Sequence, residues 1–130
     1  MGALTELFRT KNKMIDADET FNGSWPFAAN FCRSAGFKQH YVDEGPRDAE
    51  GVVCLHGEPT WGYLYRNFIP ELSQHYRVIV PDHMGFGKSE TPQDRKYTLQ
   101  THVENLASLV DELGLNDITF ICQDWGGPIT

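Results

Sequence analysis

The sequence predicts an α/β fold, with a mostly parallel sheet and flanking helices, on three observations. Residues 52–55, 78–80 and 118–121 are short, continuously apolar runs, the signature of strands buried on both faces. Helical patterns fill the intervals between these runs, and that alternation belongs to a parallel sheet. The third run leads into Cys122-Gln123-Asp124-Trp125-Gly126-Gly127 and Pro128. A chain looks like this where a strand stops, turns sharply and starts a helix.

Taken in order, the 130 residues suffice for one domain covering the whole chain. Residues 1–25 are polar, with a break at Gly23-Ser24-Trp25-Pro26, and read as a surface arm or short helix. Residues 27–33 and 37–43 read as two strands joined by Ser34-Ala35-Gly36, a hairpin-type connection. Residues 44–51 form a charged turn, and the first buried strand follows. Residues 63–74 read as helical, with a break or new start at Pro70. The strand at 78–80 ends at Pro81, and residues 85–97 form a polar loop containing Gly and Pro. Leu99, Val103, Leu106, Val110 and Leu113 then recur at steps of four and three, which gives a helix one apolar stripe, read as a core face. Thr98 can cap the start of that helix and Gly114 its end.

Composition excludes several classes. An apolar share of 40% permits a packed core. A net charge of −7 argues against nucleic acid or an anionic membrane as partner, since both need clustered Lys and Arg. No apolar run reaches the length of a membrane span, and the N-terminus has no apolar signal core. Cys32, Cys54 and Cys122 are odd in number, widely spaced and set in strand-like runs. They read as free, small buried apolar residues rather than as a disulfide framework or zinc site, which fits a reducing, cytoplasmic setting. Without a secretory signal, the Asn22-Gly23-Ser24 sequon reads as a turn.

Right-handed crossovers place every strand-to-helix loop on one edge of the sheet, where ligands bind in open α/β folds. Three loops meet there: His56-Gly57-Glu58-Pro59-Thr60-Trp61, the loop from Pro81 to Ser89, and the turn bearing Asp124. Gly85-Phe86-Gly87-Lys88-Ser89 hints at a phosphate loop. However, Asp82 stands where a P-loop needs Gly, and Glu90 where a dinucleotide loop needs Gly, so both nucleotide readings fail on spacing. In a G-x-S-x-G elbow the apex residue is a Ser nucleophile. Here the apex is Asp124, whose carboxylate can displace a leaving group from carbon and form a covalent ester. Alone, the turn reads equally well as an acidic surface turn.

Together the three loops resemble the haloalkane dehalogenases of the α/β-hydrolase superfamily, over about residues 37–130. The resemblance implies an α/β-hydrolase core and a haloalkane substrate, with halide and water as the other small molecules. It makes Asp124 the nucleophile. The indole N–H of Trp125 is a donor only, and the resemblance assigns it to the halide. Backbone amides of Glu58 and Trp125 would face the oxyanion. His56, Gly57, Gly126 and Gly127 would shape the loops. The Glu58 carboxylate cannot donate to a halide unless protonated. Its role stays open between loop structure, water positioning and a halide site completed by a second Trp. No metal or organic cofactor is implied.

The resembled enzymes also use a catalytic His, an acid and a helical cap, and none of the five histidines here matches that His. The expectation is the N-terminal part of such a domain, cut just after the elbow and inactive alone. Its last strand would be open to a complementary fragment or to self-association. The nearest rival is an epoxide hydrolase, which uses the same Asp elbow. A non-catalytic interaction module is the alternative of a different class.

Overall fold

A computed structural model describes residues 15–130, so residues 1–14 of the expected arm lie outside the described residues. Five strands, β1 (Asn30–Cys32), β2 (Gln39–Glu44), β3 (Gly51–Leu55), β4 (Arg77–Pro81) and β5 (Ile118–Cys122), form one sheet in the order β1-β2-β4-β3-β5. A 3-10 turn (Gly62–Tyr65) and three helices, α1 (Phe68–Leu72), α2 (Leu99–Leu113) and α3 (Gly126–Ile129), complete the described elements. β3 pairs in parallel with both β4 and β5, while β1–β2 and β2–β4 are antiparallel. The sheet is therefore mixed, and its parallel half carries the three loops.

Side chains alternate between the faces of a strand, and this sorts the core into two layers. Val42, Val52, Cys54, Val78 and Val80 face Trp25, Tyr65 and Ile69. Val53, Leu55 and Ile79 face Leu106 of α2 and Ile129 of α3. With both faces covered, β3 and β4 have no polar side to show, so their runs are continuously apolar.

Four expectations change in detail. Pro70 does not break a helix; it is the third residue of α1, where its missing N–H would have had no partner within the helix. The interruption falls earlier, between the 3-10 turn and α1. Trp25 is fully buried rather than part of a surface arm. It packs against Trp61 with ring centroids 5.0 Å apart, and Lys88 Nζ ties the preceding segment down by donating to the carbonyls of Ala17 and Glu19, both at 2.8 Å.

Helix α2 has the expected ends: Thr98 Oγ1 accepts the Thr101 N–H at 3.1 Å, and Gly114 takes a left-handed φ of 63°. Its stripe is rotated, however. Leu106 and Leu109 are buried, whereas Leu99 is 42% exposed because the first turn overhangs the open edge of the sheet. Finally, among the described residues β5 pairs with β3 alone and forms one edge of the sheet. Its side chains are half-buried or exposed, and Cys122 is exposed, unlike Cys32 and Cys54. Among the described residues no helix is long and apolar enough to cross a membrane.

Candidate active site

Because β3, β4 and β5 run in parallel, their carboxyl ends open on the same edge. There β5 ends at Cys122, and two residues later Asp124 has a φ of 53°, in the left-handed region that is uncommon outside Gly and that Asp and Asn enter more readily than other residues. The turn is held from both sides. Gly126 N–H donates to Gln123 O at 2.9 Å, Gly127 N–H to Asp124 O at 3.1 Å, and Gln123 N–H to Leu55 O at 3.1 Å. The buried Tyr65 hydroxyl lies between the two strand ends, 2.7 Å from Leu55 O and 3.3 Å from Ile121 O.

Two glycines permit the close approach. A side chain at Gly126 would collide with the Leu55 carbonyl, and a Cβ at Gly57 would sit 2.5 Å from the Cβ of Asp124. The loop after β3 therefore lies directly on the apex. Glu58 N–H donates to Asp124 Oδ2 at 3.3 Å, and Gly57 N–H to Gln123 Oε1 at 3.2 Å. The Glu58 side chain itself is exposed. Gly127, the second residue of α3, has open space where a side chain would stand.

His56 is fully buried below this loop, and its proton can be placed. Its Nε2 receives the His83 main-chain N–H at 2.9 Å, so it must be the bare nitrogen; Nδ1 then carries the proton and donates to Gly57 O at 2.8 Å. His83 returns the contact, its Nε2–H donating to His56 O at 2.8 Å. Burial pushes both imidazoles below their ordinary range; for His83, the neighbouring His56 adds to this and brings it to about 3. Both rings stay neutral near pH 7.

Trp125 immediately precedes α3 and is half exposed. With Glu58, His83, Leu99, His102 and Ile129 it lines a cavity of about 360 Å³ beside the apex. Behind the cavity Asp82 is fully buried. It accepts from Gly62 N–H at 2.7 Å, Lys88 N–H at 2.9 Å and His40 Nδ1 at 2.8 Å. His40 thus belongs to the sheet rather than to the site, and His75 is exposed outside it.

The structure brings together Asp124, Trp125, Glu58, Gly57 and Gly126, and sets His56 one layer below. Gln123 stands in the elbow motif and His83 in a loop expected on this edge, but the bonds they make, and the part of Tyr65, were not read from the sequence. Tyr65 and His83 act across the sheet edge, and no local pattern marks them. An exposed carboxylate with an amide on one oxygen, an indole donor beside it and a small cavity in front can attack carbon and stabilise charge on the resulting ester.

The family model for the alpha/beta hydrolase fold matches residues 51–130. The chain is 58% identical over 92 residues to a haloalkane dehalogenase of Psychrobacter cryohalolentis, covering 69% of this chain and 30% of that protein. It is 48% identical over 102 residues to a cis-3-alkyl-4-alkyloxetan-2-one decarboxylase of Xanthomonas campestris, covering 72% of this chain and 34% of that one. Among solved structures, the haloalkane dehalogenase of Paraglaciecola agarilytica superimposes with a TM-score of 0.76 at 41% identity, covering 80% of this chain and 37% of that one. An epoxide hydrolase from hot-environment metagenomes superimposes at 0.73 with 34% identity, covering 79% and 35%. The chain thus spans about a third of the length of the proteins it matches.

Proposed function

Because the chain belongs to the alpha/beta hydrolase fold family, we propose that it carries the nucleophile of a hydrolase that cleaves carbon–halogen bonds of haloalkanes. One observation carries this reading: a carboxylate, Asp124, occupies the left-handed apex of the elbow with the Glu58 amide 3.3 Å from Oδ2. The dehalogenase similarity supports it.

In the first step an oxygen of Asp124 attacks the halogen-bearing carbon. The new carbon–oxygen bond forms as the carbon–halogen bond breaks, and the halide leaves with the bonding pair. Trp125, half exposed on the cavity wall, carries the indole N–H that this reading assigns to that anion. The Glu58 carboxylate is not a donor, so Glu58 acts through its backbone. In the second step water adds to the ester carbonyl. Charge then develops on the former carboxylate oxygen, where the amides of Glu58 and Trp125 stabilise it. Collapse breaks the ester bond and restores the Asp124 carboxylate, one proton of the water leaving on the alcohol and the other passing to solvent.

Neither His56 nor His83 is the base of that step. The bare nitrogen of His56 is occupied, and His83 is a very weak base held against the His56 carbonyl. Gly57, Gly126 and Gly127 give the loops their close packing, and the scheme uses no metal or cofactor. We place the chain in the cytoplasm, since its three cysteines are free, and the outer edge of β5 is open to pairing with another strand. Light scattering reads that self-association.

A second reading rests on the similarity to the oxetanone decarboxylase and the epoxide hydrolase. The same attack would then open a carbon–oxygen bond of a strained ring. Incubation with 1-bromobutane, followed by intact mass and a peptide map, tests the first reading. A butyl ester on Asp124, or free bromide, is expected from the parent, and neither from Asp124→Asn. A folded parent that leaves 1-bromobutane untouched but opens an epoxide or oxetanone would replace the first reading with the second.

A further inference from the structure

The carbonyl and N–H of a trans peptide point in opposite directions in one rigid plane. Fixing the carbonyl therefore aims the N–H. The two peptides that run from His56 to Glu58 are fixed in this way. The Gly57 carbonyl receives three donors, His56 Nδ1 at 2.8 Å, Thr60 Oγ1 at 3.0 Å and Thr60 N–H at 3.2 Å. The other end of that peptide is the Glu58 N–H, on Asp124. The His56 carbonyl receives His83 Nε2–H at 2.8 Å, and the other end of its peptide is the Gly57 N–H, on Gln123.

His56 can hold the Gly57 carbonyl only as the tautomer protonated on Nδ1. The His83 main-chain N–H enforces that tautomer by occupying Nε2 at 2.9 Å. The two rings lie against each other with centroids 4.2 Å apart, and Phe86 packs on His56 at 5.5 Å. Both histidines are buried, so water does not compete for these bonds.

From this we infer that His83 is a positioning residue for the loop that carries the Glu58 amide: its side chain fixes the His56 carbonyl and with it the Gly57 amide, while its main-chain N–H fixes the His56 ring that holds the adjoining Glu58 peptide. The inference deepens the proposed hydrolase reading, because that amide is the donor assigned to the ester oxyanion. His83 lines the cavity wall, and its side-chain hydrogen bond goes to the His56 carbonyl rather than to Asp124. The contribution proposed for it falls on ester breakdown, where charge develops on the oxygen facing Glu58. The neutrality of both rings, kept by burial, is consistent with such a strut.

The test compares the parent with His83→Phe, which keeps the ring contact and the main-chain N–H on His56 but loses the Nε2–H that fixes the His56 carbonyl, and with His83→Gln, which restores a donor. Each protein is alkylated with 1-bromobutane, freed of reagent and followed by intact mass. The expected result is an Asp124 ester that lives about tenfold longer or more in His83→Phe. Gln brings the lifetime back toward the parent. His83→Ala replaces the Phe variant if that protein does not fold. An unchanged ester lifetime in the folded variant overturns the inference.

If the parent takes up no alkyl group, the hydrolase reading fails by itself. The strut is then judged in the same proteins by hydrogen exchange at the Gly57 and Glu58 amides. Exchange about tenfold faster in His83→Phe, and not in His83→Gln, upholds it; equal exchange removes it.

Discussion

Asp124 and His83 show how far a single residue reports its own role. Asp124 is legible because everything that defines it is adjacent in sequence: an apolar strand before, small residues after, and an acid where a sharp turn must expose it. His83 is illegible because its partner, His56, lies 27 residues away on another loop. Its burial nevertheless leaves a measurable trace. Burial lowers the folded-state pKa of His83 to about 3, whereas an unfolded histidine titrates near 6.5. Between those values the unfolded chain binds the extra proton, so the stabilisation is complete above about pH 6.5 and is lost as the pH falls toward 3. Stability should fall by about 2 kcal/mol more in the parent than in His83→Phe between pH 6.5 and pH 5. Urea unfolding at the two pH values measures this, and equal losses in the two proteins would refute it.

Periodicity located α2 and both its caps, but it could not give the rotation of the helix about its axis, which depends on where the sheet ends. Leu99 and Leu106 belong to the same stripe by spacing, yet one overhangs the cavity and the other meets β3 and β4. Leu109 lies outside the stripe read from the sequence and is 1% exposed. Leu109→Ala should therefore cost about 2–5 kcal/mol, and Leu99→Ala less than about 0.5 kcal/mol. Denaturant midpoints decide between this and the stripe as first read, in which Leu99 would be the costlier loss. β5 carries the same lesson. Its run is as apolar as that of β3, but a strand paired on one side only leaves Phe120 38% exposed. Composition measures the tendency to be covered, and tertiary position decides whether covering occurs.

Over the whole molecule, the parallel half was legible because buried strands and their crossovers are written in short local patterns, whereas the N-terminal segment was not. Its polar residues suggest an arm, but one aromatic residue decides its position. Trp25 completes the core layer made by Val52, Cys54, Val78 and Val80, and its neighbours bind the loops that carry the site. Phe21 and Trp25 pack on Trp61, at the end of the loop that bears Glu58. Lys88 reaches the carbonyls of Ala17 and Glu19 from the loop after β4, and its own amide rests on Asp82, which also holds Gly62. The segment thus closes a ring of contacts around the two loops that frame Asp124. If so, Trp25→Ala opens a cavity in the shared core and should cost about 3–5 kcal/mol. A surface arm would lose no more than about 0.5 kcal/mol by the same change. Urea unfolding followed by far-ultraviolet circular dichroism separates the two. The loss should come as a lower midpoint of one cooperative transition, since this segment shares its core with the sheet. An early transition confined to the N-terminus would mean that the segment folds on its own account and frames nothing.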